Sequence, residues 1–272
     1  MLLGYSPRRA PNYHKILNKL SRMTDIFDGI ILVWNNLVVP PPLHLAEAGA
    51  VPVTIIQSQR NSLCSRYNVS SHVISPSVLI MDDDVIYERA AFARALASFS
   101  SSPRSRGVVG FAIDARHVAR DGTYRVPMPA NKVPNMIIGK TMLFAREHMM
   151  AFMADANLTS QVDPGGACAS CDDLALNALV MNRTNNSVVT LPLYRGERHR
   201  LPEYDGVSTR KGWVRHRTAC ARWLIQYFGW TEWPLGGRRS DSRRRRHRSA
   251  TIIWRTPAGN DERNNLAQIS HH

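Results

Sequence analysis

The sequence predicts an α/β fold, a sheet with largely parallel strands covered by helices. Three observations carry this. Short apolar runs recur along the 272 residues, segments of helical period alternate with them, and polar or acidic residues stand where the runs end. The hydrophobic content of 44% is enough for one large core or two small ones.

Taken in order, residues 11–23 carry apolar side chains near helical spacing, with Pro11 suited to a first turn. GIILVW (Gly29 to Trp34) is a short apolar run ending at Asn35-Asn36 and reads as a buried strand, with Trp34 in the core. VPVTII (Val51 to Ile56) is a second strand, and NSLCSRY (Asn61 to Tyr67) a short helix. VLIM (Val78 to Met81) is a third strand, followed by a helix over Glu88 to Phe99 and a further strand over Arg106 to Ile113. The second half is less regular. Met136 to Phe144 is expected as one strand, Arg146 to Ala156 as a helix, Cys171 to Asn182 as a helix, Ser187 to Tyr194 as a strand and Val214 to Phe228 as a helix. A boundary near residue 115 would separate two halves that share one sheet.

The bulk chemistry narrows the function classes. No run of eighteen apolar residues exists, so no transmembrane helix is expected, and the first residues lack the pattern of a signal peptide. Met1 is expected to begin a fragment, because Leu2 and Leu3 already resemble the end of a strand. The net charge of +14 is uneven, since Gly236 to Ser249 holds seven Arg against one Asp. That low-complexity run, within residues 234–272, reads as a disordered basic tail, and a solvated tail is preferred over a specific nucleic-acid contact. Cys168 and Cys171 form a C-x-x-C with no second pair to complete a zinc site, so Cys64 and Cys168 read as thiols without function. Glycosylation sequons begin at Asn68, Asn157, Asn182 and Asn185, and lean toward a secretory setting.

The chemistry concentrates in two acidic clusters. VLIMDDDV (Val78 to Val85) drives three aspartates off the end of an apolar strand, where open α/β sheets bind ligands. Strand alternation puts Asp82 and Asp84 on one side and Asp83 on the other. Two carboxylates on one side suit a hard divalent ion that also holds phosphate oxygens. The plainer alternative is a turn in which Asp84 caps the helix beginning near Glu88. Asp172-Asp173 opens a second helix, where acids are favourable electrostatically and Asp172 would be an ordinary cap.

Together these stretches resemble the exostosin-like glycosyltransferases, family 64. The resemblance rests on VLIMDDDV, GVVGF (Gly107 to Phe111) and CDDLALN (Cys171 to Asn177), with VWNN, NSLCSRY, RTAC (Arg217 to Cys220) and Phe228-Gly229 in the same order. It implies a GT-A fold, a Rossmann-like mixed sheet flanked by helices, over residues 1–233: a nucleotide-binding half of about 1–115 and an acceptor half of about 116–233. It also implies a UDP-sugar donor, most simply UDP-N-acetylglucosamine, a glycan acceptor, Mn²⁺ and retention at the anomeric carbon. Asp84 would hold the metal, and Asp82 and Asp83 would contact the donor. Arg9, Asn35, Asn61 and Arg66 would surround the uridine nucleotide, and Arg217 would lie near the diphosphate. Asp173 would be the catalytic carboxylate, with Asp172 beside it, and Cys171 would pair with Cys220. The resemblance places the protein in the secretory pathway, Golgi or endoplasmic reticulum, held to a membrane only through an N-terminal anchor that this chain does not carry. Two departures stand out: Tyr5 replaces the usual Gln ahead of Arg9, and Lys140 replaces a small residue and is expected to be exposed. His117 is likewise expected to be an exposed loop residue, and His199 follows a basic loop where an acceptor contact is possible.

Overall fold

The computed structural model describes residues 1–42, 49–101, 107–162, 171–185, 188–202 and 211–234. The basic tail, Cys168 and the loop preceding Cys171 lie outside these.

The chain opens with strand β1 (Leu2–Gly4), a 3₁₀ turn (Pro7–Arg9) and helix α1 (Ala10–Leu20), and returns as β2 (Ile30–Trp34). β3 (Val53–Gln57), a 3₁₀ segment (Leu63–Arg66), β4 (Ser77–Met81) and β5 (Val85–Tyr87) follow, then α2 (Arg89–Ser100) and β6 (Val109–Phe111). Next come β7 (Ala115–Val118), β8 (Tyr124–Arg125), β9 (Met136–Ile137), β10 (Thr141–Ala145), α3 (Arg146–Ala154) and α4 (Ala156–Val162). The last elements are α5 (Asp172–Thr184), β11 (Val189–Leu191), β12 (Arg198–Arg200) and α6 (Trp213–Tyr227).

Seven strands form the main sheet in the order β11-β6-β10-β4-β1-β2-β3. β1, β2, β3 and β4 run parallel, and so do β6 and β11. The strands are largely parallel, as expected, with one exception at the centre: β10 is antiparallel to both its neighbours, β4 and β6. The sheet therefore is mixed, and it crosses residue 115 without a break. Alternating residues of each strand feed opposite cores, as the pleat requires. Leu32 and Trp34 pack with Tyr13, Ile16 and Leu17 of α1 and Phe92 of α2. Val33, Val78, Ile80 and Phe144 point to the other side, against Phe152 of α3, Leu174 to Met181 of α5, and Leu224 of α6. Helix α5 is buried from Asp172 through Met181, which explains why its apolar residues run all round rather than along one stripe. Trp34 is a core residue, edge-on to Tyr13 with ring centroids 5.7 Å apart.

Two local expectations are corrected by packing, and the alternative reading of Asp84 as a helix cap is set aside. Met136 to Phe144 is two strands in different sheets, because Ile138, Gly139 and Lys140 turn across the sheet end: Ile138 N donates to Asp114 O at 3.0 Å and Gly139 N to Asp173 Oδ2 at 3.2 Å. Asp84 caps nothing, since α2 begins at Arg89 behind Glu88. His117 is buried rather than exposed, its Nδ1 2.8 Å from Val133 O. His199 does face solvent, in β12, with Nε2 2.8 Å from Glu88 Oε1.

Cys171 and Cys220 form a disulfide between the start of α5 and the middle of α6, closing a loop with a sequence separation of 49. In the chain-entropy picture a loop of this length stabilises the fold by about 3–4 kcal/mol. Cys220→Ser should therefore lower the unfolding free energy by about that amount in urea melts, and reductant should do the same to the native chain but nothing further to the variant. A second test concerns Gly110 of β6, where an added Cβ would meet Ile137 Cγ2 at 2.5 Å and Thr141 O at 2.9 Å. Gly110→Ala is expected to cost about 1–3 kcal/mol in the same assay, and a neutral result would show that β9 yields freely.

Candidate functional site

The site lies where β1, β2 and β4 end at the sheet's carboxyl edge. Met81 pairs with Leu2 on one side and with Thr141 on the other, so the residues that follow β4 emerge between the start of α1 and the start of β10. Asp82 N donates to Lys140 O at 3.1 Å, extending the β4–β10 register by one residue.

From there the three aspartates diverge. Asp83 turns toward α1, where one carboxylate oxygen pairs with Arg9 and the other accepts from Tyr13 Oη at 2.8 Å. Asn12 Nδ2 donates to Asp83 O at 3.0 Å and to Pro202 O at 2.8 Å, so helix α1 grips this turn through both side chain and backbone. Burial raises the Asp83 carboxyl pKa, against the pull of Arg9. Asp82 faces Arg66, with Nη1 3.3 Å from Oδ1. Its pKa is pushed up by desolvation first, against Arg66, with Asp84 and Asp83 adding; about a third of its side chain still reaches solvent, 32%. Asp84 is nearly buried, at 7% exposure, and its Oδ2 pairs with Lys140 Nζ. Its other oxygen, Oδ1, is buried with no hydrogen-bond partner among the described residues.

Arg66 connects this turn to the second acidic cluster. The 3₁₀ segment seats it under the sheet edge, with Ser62 Oγ accepting from Cys64 N as its cap. Its guanidinium reaches Asp82, donates to Gly139 O at 3.3 Å, and lies 3.8 Å from Asp172 Oδ2. Burial opposes its charge, but Asp172 and then Asp82 outweigh that and hold its pKa above the usual value. Asp172 also accepts from Tyr67 Oη at 3.2 Å, and its own pKa is raised by burial against the pull of Arg66. Asp173 receives Gly139 N and pairs with Arg217 Nη2 at 2.8 Å. Arg217 is buried, with its guanidinium over two aromatic rings, 4.5 Å from the Tyr124 centroid and 5.1 Å from that of Trp213. The disulfide fixes this pair: Cys171 is two residues before Asp173, and Cys220 three after Arg217. Asn177 adds a tie to β9, donating to Ile137 O at 2.8 Å and accepting from Ile137 N at 3.0 Å.

The remaining expected residues flank this cluster. Asn35 is buried at the end of β2, donating to Ser62 O at 2.6 Å, while its Oδ1 is buried without a partner among the described residues. Asn61 is exposed just ahead of the 3₁₀ segment. Sequence reasoning did not single out Tyr13, Tyr67 or Gly139, and it expected Lys140 to be exposed. Lys140 is instead an ion-pair partner of Asp84, with 26% of its side chain exposed. The signal for it was its place one residue before β10, opposite Asp82.

A hard cation suits Asp84, because Oδ1 is a buried anionic oxygen with no hydrogen-bond partner among the described residues. Among the described residues no three His, Cys, Asp or Glu side chains gather around one point. The fit is therefore to an ion that completes its shell with ligand oxygens, not to a preformed cage. Chemically, the site offers fixed guanidinium charge, the ammonium of Lys140, a buried Asp84 oxygen unpaired among the described residues, and a positioned carboxylate at Asp173.

A family model described as the glycosyl transferase family 64 domain matches residues 2–239. Among curated relatives, the chain is 22% identical over 196 residues to glycosyltransferase family protein 64 C3 of Arabidopsis thaliana, covering 67% of this chain and 58% of that one. It is 23% identical over 214 residues to exostosin-1 of Pongo abelii, covering 74% and 27% respectively. The chain thus spans less than two thirds of the length of these relatives. Among solved structures it resembles glucosyl-3-phosphoglycerate synthase from Mycobacterium tuberculosis, with a TM-score of 0.52, 12% identity, and coverage of 84% of this chain and 79% of that one. The mixed sheet with helices on both faces is of the GT-A type. With the family model spanning nearly the whole described chain, this protein belongs to glycosyl transferase family 64.

Proposed function

We propose that this chain transfers a sugar, N-acetylglucosamine in our reading, from a UDP-sugar to a glycan, with Mn²⁺ and with retention at the anomeric carbon. One observation carries the reading: two acidic clusters far apart in sequence meet across the buried Arg66, beside an unpartnered Asp84 oxygen at the sheet's carboxyl edge.

In this reading the uridine side is Asn35, Asn61, Arg9 and Asp83. Asn35 offers its unpartnered Oδ1 as an acceptor. Arg9 and Asp83 are paired with one another, so their part is to fix the turn that the nucleotide rests on. Asp82 faces the ribose or sugar. Asp84 would hold Mn²⁺, which when bound supplies charge stabilisation for the departing diphosphate. Arg66 and Arg217, both buried, lend positive charge that needs no reorganisation during the reaction. Asp173 is held by Arg217 and by Gly139 N, which aims it without drawing on solvent. A carboxylate so placed stabilises the positive character that develops at the sugar carbon, or orients the acceptor hydroxyl. Both a covalent glycosyl intermediate and a same-face substitution would use it. Asp172 neutralises Arg66 behind it.

The Cys171–Cys220 bond supports a secretory compartment, because such a bond persists in an oxidising lumen. The sequon residues Asn68, Asn157, Asn182 and Asn185 all lie at the surface, as glycan attachment would require. None of the described helices is long and apolar enough to cross a membrane. A second reading, a relative that holds a nucleotide sugar without transferring it, is favoured by the Lys140–Asp84 ion pair, which neutralises the expected metal ligand.

Two measurements decide. Thermal shift with a panel of nucleotide sugars and Mn²⁺ should single out a UDP-sugar, and UDP release from it should fall about a hundredfold or more in Asp84→Asn. Full activity with unchanged metal affinity in that variant would overturn the assignment, and donor binding without any turnover would favour the second reading. Asp173→Asn keeps the shape of the side chain; it should lose transfer by about 10²–10³ while calorimetric UDP affinity changes by less than about threefold. Loss of UDP binding instead would move Asp173 to the nucleotide site.

A further inference from the structure

We propose that Lys140 is a resident counter-cation of Asp84 that keeps divalent ions off this carboxylate until a nucleoside diphosphate arrives, and then transfers its ammonium to the diphosphate. This rests on the reading of Asp84 as metal ligand. It adds a coupling between metal and nucleotide that the reading does not contain.

The placement of Lys140 is set by the backbone. Asp82 N donates to Lys140 O, and Thr141 pairs with Met81, so the Cα of Lys140 is fixed beside the aspartate turn. The preceding residue, Gly139, gives its N–H to Asp173 and its carbonyl to Arg66. Lys140 thus stands between the two acidic clusters. Its four-carbon stem crosses to Asp84 Oδ2, while 26% of the side chain remains open to solvent. The three arginines nearby are committed otherwise: Arg9 to Asp83, Arg66 to Asp82 and Asp172, and Arg217 to Asp173. Lys140 differs from them in kind. An ammonium on a flexible stem is a point charge that can swing between partners, whereas a buried, stacked or bidentate guanidinium cannot.

Electrostatics gives the direction of the coupling. With Lys140 on Asp84, an incoming dication meets a carboxylate whose charge is already offset, so metal alone binds weakly. A diphosphate adds acceptor oxygens for both cations. The ammonium moves to a phosphate oxygen, Asp84 is released to the metal, and each ligand strengthens the other, as linkage demands. The five carboxylates of Asp82, Asp83, Asp84, Asp172 and Asp173 outnumber the four basic groups of Arg9, Arg66, Lys140 and Arg217. Lys140 alone therefore does not make the site attractive to a diphosphate, and the metal remains necessary.

The test is binding rather than turnover. Mn²⁺ affinity is measured by electron paramagnetic resonance with and without UDP, and UDP affinity by calorimetry with and without Mn²⁺, on the wild-type chain, Lys140→Ala and Lys140→Arg. Removing the ammonium should raise Mn²⁺ affinity in the absence of UDP about tenfold and lower UDP affinity in the presence of Mn²⁺ by a similar factor. Lys140→Arg should restore the weak metal binding of the wild type, which a merely misfolded alanine variant would not predict. The proposal is overturned if Lys140→Ala leaves both affinities unchanged, or if wild-type UDP binding is as tight in chelator as in Mn²⁺. If the wild type binds no UDP under any condition, the nucleotide-sugar reading fails and this inference with it. If UDP and Mn²⁺ bind together but Lys140 is indifferent, only this inference fails.

Discussion

A buried guanidinium organises this molecule's candidate site. Arg66 has lost nearly all its water, and an isolated charge in that position would be strongly unfavourable. It is tolerated because Asp82 approaches from the β4 turn, Asp172 from the start of α5 and the Gly139 carbonyl from the approach to β10. Each of those groups is in turn held by something else: Asp82 by its backbone bond to Lys140, Asp172 by Tyr67, and Gly139 by Asp173. Removing one partner from such a network leaves a desolvated charge behind, which typically costs about 3–5 kcal/mol. The cluster is therefore a structural unit, and its geometry is set before any ligand binds.

The antiparallel strand β10 is what makes that unit possible. A purely parallel sheet would send every strand's carboxyl end to the same edge, and the residues before Thr141 would lie at the opposite one. Because β10 runs backward, its amino end arrives beside the carboxyl end of β4 and delivers Gly139 and Lys140 to the aspartates. The fit at the glycine is close: a Cβ on Gly139 would stand 3.1 Å from Arg66 Nη1, so the guanidinium would have to shift by a few tenths of an ångström. On the far side of Asp173, the disulfide joins α5 to α6 so that Arg217 meets it under two aromatic rings. Rigid support on three sides suits a site in which charges must be preorganised.

Position in the sequence explains which features were legible. The strands VLIM and IILVW, helix α5 and helix α6 announce themselves because apolar periodicity is a local signal. Asp82 to Asp84 and Asp172-Asp173 were visible as charge anomalies, since acids rarely end an apolar run without a reason. The Cys171–Cys220 bond was expected from resemblance alone, because two cysteines separated by 49 residues carry no local sign of proximity. His117 misled because a lone histidine in a loop-like stretch gives no hint that the chain will fold over it and supply Val133 O.

The sequence by itself determined the α/β class, the order of most elements and the two acidic clusters, because each depends on periodicity or composition within a few residues. Only the tertiary structure decided the direction of β10, the meeting of both clusters across Arg66, the grip of Tyr13 and Arg9 on Asp83, and the ion pair of Lys140 with Asp84. Those contacts join residues far apart in the chain, and their energies depend on burial and on the distance between charges. Neither quantity exists until the sheet has formed.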